Sequence, residues 1–71
     1  MTAAYIERIL ETTIVGTVEI KTTDGQQIEI DPEVMEWEVM EKERSIHCAR
    51  PYLDDAWINI DHITTIRRTR Q

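Results

Sequence analysis

Seventy-one residues, 14 acidic against eight basic side chains, a net charge of −6 and a single cysteine confine this chain to one small acidic domain with no internal disulfide. Such a balance disfavours binding nucleic acid or an anionic membrane through the whole surface, because phosphate binding rests on Lys and Arg, and it favours a partner protein with a basic surface. A core this small supplies about 3 to 5 kcal/mol, so a second copy of the chain, as a homodimer or a higher homo-oligomer, is the expected support.

Residues 2–11, T-A-A-Y-I-E-R-I-L-E, place Tyr5 four before Ile9 and Ile6 four before Leu10, behind Thr2 as a candidate cap. This predicts a short helix, with an extended reading through Ile6 to Ile9 as the alternative. From Thr12 to Thr23 the β-branched density predicts a strand, with Gly16 as a bend or bulge and Val18 and Ile20 on one face. Asp24-Gly25 can adopt positive φ, so Gln26 to Ile30 is expected to return as the second arm of a hairpin.

Residues 29–43 concentrate seven carboxylates around an apolar set. As a strand, residues 33–43 put Met35, Trp37 and Val39 on one face and Glu36 and Glu38 on the other, with Asp31-Pro32-Glu33 as the preceding turn. As a helix over 32–44, Asp31 is a good N-cap and Pro32 a good first residue, but the apolar residues form no stripe. The strand is preferred, and the helix stays as the alternative.

Glu41 to Ser45 reads as a charged turn, Ile46 to Arg50 as a short strand ended by Pro51, and Tyr52-Leu53-Asp54-Asp55 as a loop. In A-W-I-N-I-D-H-I-T-T-I, Trp57, Asn59 and Asp61 alternate with Ile58 and Ile60 until Asp61-His62 breaks the period, which predicts a strand, a tight turn and a final strand to Ile66. The expected fold is mainly β: a single small curled antiparallel sheet, or an SH3- or Sm-like barrel, of about five strands with a short N-terminal helix. A helix at 32–44 would make it α+β. The organisation is one domain over 1–71: helix 2–11, β domain 12–66, basic tail 67–71. Residues 1–15 lack a basic start and contain Glu7 and Glu11, no run reaches transmembrane length, and the one thiol is free, so a cytoplasmic protein with no membrane association is expected.

The segment W-I-N-I-D-H-I-T-T-I, residues 57–66, resembles the closing strands of Sm-like and SH3-like small β-barrel proteins of bacteria and phages. That resemblance implies a barrel fold and a tendency to form rings or dimers. In size and charge the chain is also similar to small acidic phage proteins that block restriction or CRISPR effectors. This likeness implies an inhibitor acting as a DNA mimic, whereas glutamates stand in the hairpins where an Sm-like RNA binder needs Lys or Arg.

The candidate partner-binding residues are Glu33, Glu36, Trp37, Glu38, Glu41, Glu43, Tyr52, Asp54 and Asp55, with carboxylates as charge and Trp37 or Tyr52 as apolar anchor. Alternate residues on a strand sit about 6.6 Å apart, a spacing comparable to that of neighbouring phosphates, so Glu29, Asp31, Glu33, Glu36, Glu38, Glu41 and Glu43 can be read as a phosphate mimic. The competing reading is a solvated face kept charged against edge-to-edge aggregation. Arg67, Arg68 and Arg70 form the one basic cluster, read either as a frayed terminus or, in an oligomeric Sm-like barrel, as a nucleic-acid-binding rim. His47 and Cys48 are adjacent and so point to opposite faces of a strand, which disfavours a catalytic dyad. His47, Cys48 and His62 lack metal-ligand spacing. The expectation is a non-enzymatic interaction module without cofactor or metal, with a structural subunit of a larger assembly as a further alternative.

Overall fold

The computed structural model describes residues 1–69. Helix α1, Ala3–Thr12, begins where the Thr2 hydroxyl accepts the Tyr5 N–H at 3.1 Å. It buries Ala3, Ile6 and Leu10 along one stripe. Its end is set by two hydroxyls that turn back on it: Thr12 donates to the Arg8 carbonyl at 2.7 Å and Thr13 to the Ile9 carbonyl at 2.6 Å. These bonds hold Thr12 and Thr13 out of the strand that their β-branched side chains suggested. Gly16, at φ +91°, then redirects the chain, so strand β1 starts only at Thr17.

β1, Thr17–Thr22, and β2, Gln27–Ile30, form the expected hairpin, with Val18 opposite Ile30 and Ile20 opposite Ile28 on the core side. Gly25 has φ +88° at its tip, and the Thr22 N–H donates to the Gln26 carbonyl at 3.0 Å. The helix-start signal at Asp31 is realised as one turn only. The Asp31 carboxylate accepts the Glu33 N–H at 3.1 Å and its carbonyl accepts the Met35 N–H at 2.9 Å. The chain then extends into β3, Glu36–Met40. No helix forms at 32–44, because continuing it would spread Met35, Trp37 and Val39 round a cylinder instead of onto the one face that packs on the core.

β3 turns through Glu41 to Arg44, the latter at φ +52°, into β4, Ser45–Ala49; β5, Ala56–Asn59, follows the Arg50 to Asp55 loop. The Asp61-His62 break is a 3-10 turn over Ile60–His62, in which the Asn59 side chain accepts the Asp61 N–H at 2.8 Å. β6, Ile63–Thr69, runs antiparallel to β1 and reaches Thr69 opposite Thr17, with a register shift at Lys21/Thr22. The bulge expected near Gly16 therefore lies at the other end of β1. The basic tail expected from 67 is part of β6 through Thr69, and Arg70 lies outside the described residues.

The fold is mainly β with one short helix, but it is neither a single curled sheet nor a closed barrel. Six strands among the described residues form two antiparallel sheets, ordered β2-β1-β6 and β3-β4-β5. Their inner faces and α1 enclose one core, in which Ile6, Leu10, Ile20, Ile30, Ile46, Ile58 and Ile60 are essentially inaccessible. Each fully buried residue of this kind stabilises the fold by about 1.5 to 3 kcal/mol. Arg44 ties the second sheet to the 3-10 turn: its guanidinium contacts Asp61 at 2.6 Å, and its carbonyl accepts the Ile60 N–H at 2.8 Å. No helix among the described residues is long and apolar enough to cross a membrane.

Candidate protein-binding face

The outer face of β3-β4-β5 is built by strand alternation. Because Trp37 and Val39 turn inward onto the core, Glu36 and Glu38 must point outward, and both are exposed. The same rule on β4 sends Ile46 and Cys48 inward and His47 outward, and on β5 it buries Ile58 and exposes Trp57 and Asn59. Register then aligns the outward residues: Glu38 lies opposite His47, and His47 opposite Trp57. A carboxylate, an imidazole and an indole thus form one row across the sheet.

The middle of that row is fixed. The His47 ring stacks on Trp57 with centroids 4.2 Å apart and planes 25° from parallel, while His47 Nε2 lies 2.8 Å from Asp55 Oδ2. Trp57 nevertheless keeps 61% of its surface accessible. Beyond it a groove of about 360 Å³ runs toward the β1–β2 hairpin, lined by Gln26, Gln27, Arg50 and Asp55 among others.

Beside the face stands the Arg50 to Asp55 loop. Arg50 Nε donates to the Asp54 carbonyl at 2.9 Å and the Leu53 N–H to the Arg50 carbonyl at 3.4 Å, closing the loop on itself. Tyr52 at its tip has φ +62° and is fully solvated, and Leu53 is 65% exposed. A left-handed conformation costs a non-glycine residue about 1 to 2 kcal/mol, and here it projects an aromatic ring into water.

The other sequence candidates are dispersed. Glu33 is exposed on the Asp31 to Met35 turn, and Glu41 and Glu43 are exposed on the β3–β4 turn. Glu29 lies on the first sheet, opposite Glu19, accepting the Thr17 hydroxyl at 3.1 Å, and the Asp31 carboxylate is spent on its own turn. The seven carboxylates therefore form no single row: of them only Glu36 and Glu38 alternate along β3. Trp37 packs against the core on the opposite face of β3 and cannot anchor a ligand beside these glutamates. Trp57 and His47, which sequence reasoning did not place in the site, occupy that position. The alternation of Trp57 with polar Asn59 and Asp61 was the available signal.

Arg67 and Arg68 do not fray. Arg67 Nε donates to Glu19 at 3.1 Å, and Arg68 donates to the Thr13 hydroxyl at 2.9 Å and to that of Thr12. His47 and Cys48 lie on opposite faces of β4, with Cys48 fully buried and its thiol pKa pushed up by that burial. Among the described residues, no three His, Cys, Asp or Glu side chains gather as a metal site. Chemically, the face offers carboxylate acceptors around an exposed indole, a combination suited to a cation that also stacks.

No protein-family model matches the chain, and comparisons with curated proteins and with solved structures find no match either.

Proposed function

We propose that this protein is a non-enzymatic interaction module whose outer β3-β4-β5 face binds an arginine- or lysine-bearing surface of another protein. The observation that carries the reading is Trp57, an indole 61% exposed at the end of a row that begins with Glu38. Interfaces concentrate their energy in a few aromatic or arginine anchors inside a polar rim, and a face that carries Trp57 at one edge and Glu36 and Glu38 at the other, with His47 between, has that composition. Tyr52 and Leu53 supply a second apolar contact beside it. In its sharpest form the action is occlusion, the face covering a basic surface that otherwise holds nucleic acid.

Tagged protein is used to capture partners from a lysate of its host cell, at low salt and at roughly 0.5 M, where charges are screened beyond about 4 Å. A basic protein retained at low salt, lost at high salt, lost on joint Glu36→Lys and Glu38→Lys substitution, and weakened by Trp57→Ala supports the reading. Capture unchanged by both substitutions rejects it.

A further inference from the structure

The eight basic residues of this acidic chain are not evenly spread. Arg8, Arg67 and Arg68 line one half-open groove of about 340 Å³ between α1 and β6. The helix side is a single face, since Tyr5, Arg8, Ile9 and Thr12 follow one another at helical spacing; the strand side adds Ile66. Ile9 and Ile66 are partly buried against the core and form an apolar floor, and Tyr5 is 51% exposed at the rim.

Two of the guanidinium groups are held in place by the fold. Arg67 is anchored through Nε to Glu19, itself only 8% exposed and also bonded by Gln27 at 3.0 Å. Arg68 is anchored through Nε and one Nη by Thr13 and Thr12. A guanidinium carries five N–H donors, so each arginine keeps donors beyond those spent internally. Both side chains remain exposed. Arg8 makes no ion pair with any described residue and adds a third guanidinium from the helix. Donors fixed before a ligand arrives lose less entropy on binding, and planar guanidinium pairs match carboxylate and phosphate oxygens.

We propose that this groove is a binding site for a small organic anion, a carboxylate or phosphate joined to a flat apolar body. The anion meets Arg8 and Arg68, the body lies on Ile9 and Ile66 beside Tyr5, and Arg67, bonded to Glu19 on the other face of β6, borders the groove at the strand edge. The volume lies within the range of small-molecule sites. This site is separate from the face of Glu36, Glu38 and Trp57, so either assignment can fail alone.

The test is an NMR titration of the full chain with phenyl phosphate, benzoate and inorganic phosphate, up to about 10 mM, following the Tyr5 ring, the Ile9 and Ile66 methyls and the arginine Nε–Hε signals. Saturable shifts at these residues are expected, with phenyl phosphate or benzoate binding about tenfold tighter than inorganic phosphate, because only they bury a ring. The tighter of the two names the anion. Arg8→Gln, an exposed helix position whose loss leaves the core intact, is expected to weaken binding about tenfold. It leaves capture of a basic partner unchanged. Absence of saturable shifts, equal binding of inorganic phosphate, indifference to Arg8→Gln, or a marked preference for an acidic peptide or an oligonucleotide at the same residues overturns the assignment.

Discussion

The two tryptophans provide the most direct check on which face of the second sheet meets water. Trp57 keeps 61% of its area accessible, so it withdraws at most about 90 Å² from solvent, or roughly 2 kcal/mol at about 25 cal/mol per Å². Trp57→Ala is therefore expected to cost under about 2 kcal/mol, stacking on His47 included. Trp37, two strands away on β3 and facing inward, packs on the core, and truncating it leaves a cavity; the usual cost is about 3 to 5 kcal/mol. Against a total stability of roughly 4 to 10 kcal/mol for a chain of this length, Trp37→Ala is close to unfolding and Trp57→Ala is not. The assay is urea denaturation followed by far-UV circular dichroism, comparing midpoints at constant slope. In Trp37→Phe and Trp57→Phe, which keep most of the ring volume, the emission of Trp57 alone should be accessible to acrylamide quenching and that of Trp37 alone largely protected. Equal losses, or a larger loss for Trp57→Ala, would refute the assignment of faces and with it the proposed site.

Three further outcomes follow from local chemistry. The hydrogen bond and charge of Arg44 hold the Asp61 carboxyl below its ordinary pKa, so the stability this pair contributes is present above about pH 4 and is lost as pH falls through the lowered value. Arg44→Gln should remove that component of acid destabilisation, measured as thermal midpoint against pH. Burial raises the Cys48 thiol above 9.0, so the unfolded chain releases its proton first and stability declines as pH rises past that value; the decline should be smaller in Cys48→Ala, and native Cys48 should resist iodoacetamide until urea opens the core. Gly25 has open space around a notional Cβ but sits at φ +88°, so Gly25→Ala should cost about 1 kcal/mol through backbone strain alone, read as a lower urea midpoint.

Period-two patterning made most of the strands legible. Val18 with Ile20, Ile28 with Ile30, and the alternation through Glu36 to Met40 each pointed the correct residues inward. What misled was strand or tail propensity where another hydrogen bond, local at the end of α1 and long-range in β6, outweighed it. Thr12 and Thr13 look like strand residues, yet their hydroxyls close the end of α1. The basic end looked like a tail, yet pairing of Thr69 with Thr17 and the Glu19 anchor draw Arg67 and Arg68 into β6. The β6 contacts join residues about fifty positions apart, and no window of sequence contains both partners. The same separation hid the division into two sheets, because the boundary depends on which strands pair and not on where each begins.

A charged outer face can be explained by solubility alone: β3 is an edge strand, and glutamates along it oppose edge-to-edge pairing. That explanation accounts for Glu36 and Glu38 and stops there. It does not account for Trp57, which lies in register with Glu38 and His47 and is stacked on a His47 ring that is itself hydrogen-bonded to Asp55, yet is left mostly in water. Nor does it account for Tyr52, whose left-handed backbone costs about 1 to 2 kcal/mol while its ring touches nothing that would offset it. With Leu53 these residues put three exposed large apolar side chains on β5 and the loop before it, in the same sheet as the acidic strand β3. A surface selected only to stay apart from other proteins would replace them with polar residues and gain stability. Their presence beside the carboxylates is what favours a surface that closes on a basic partner.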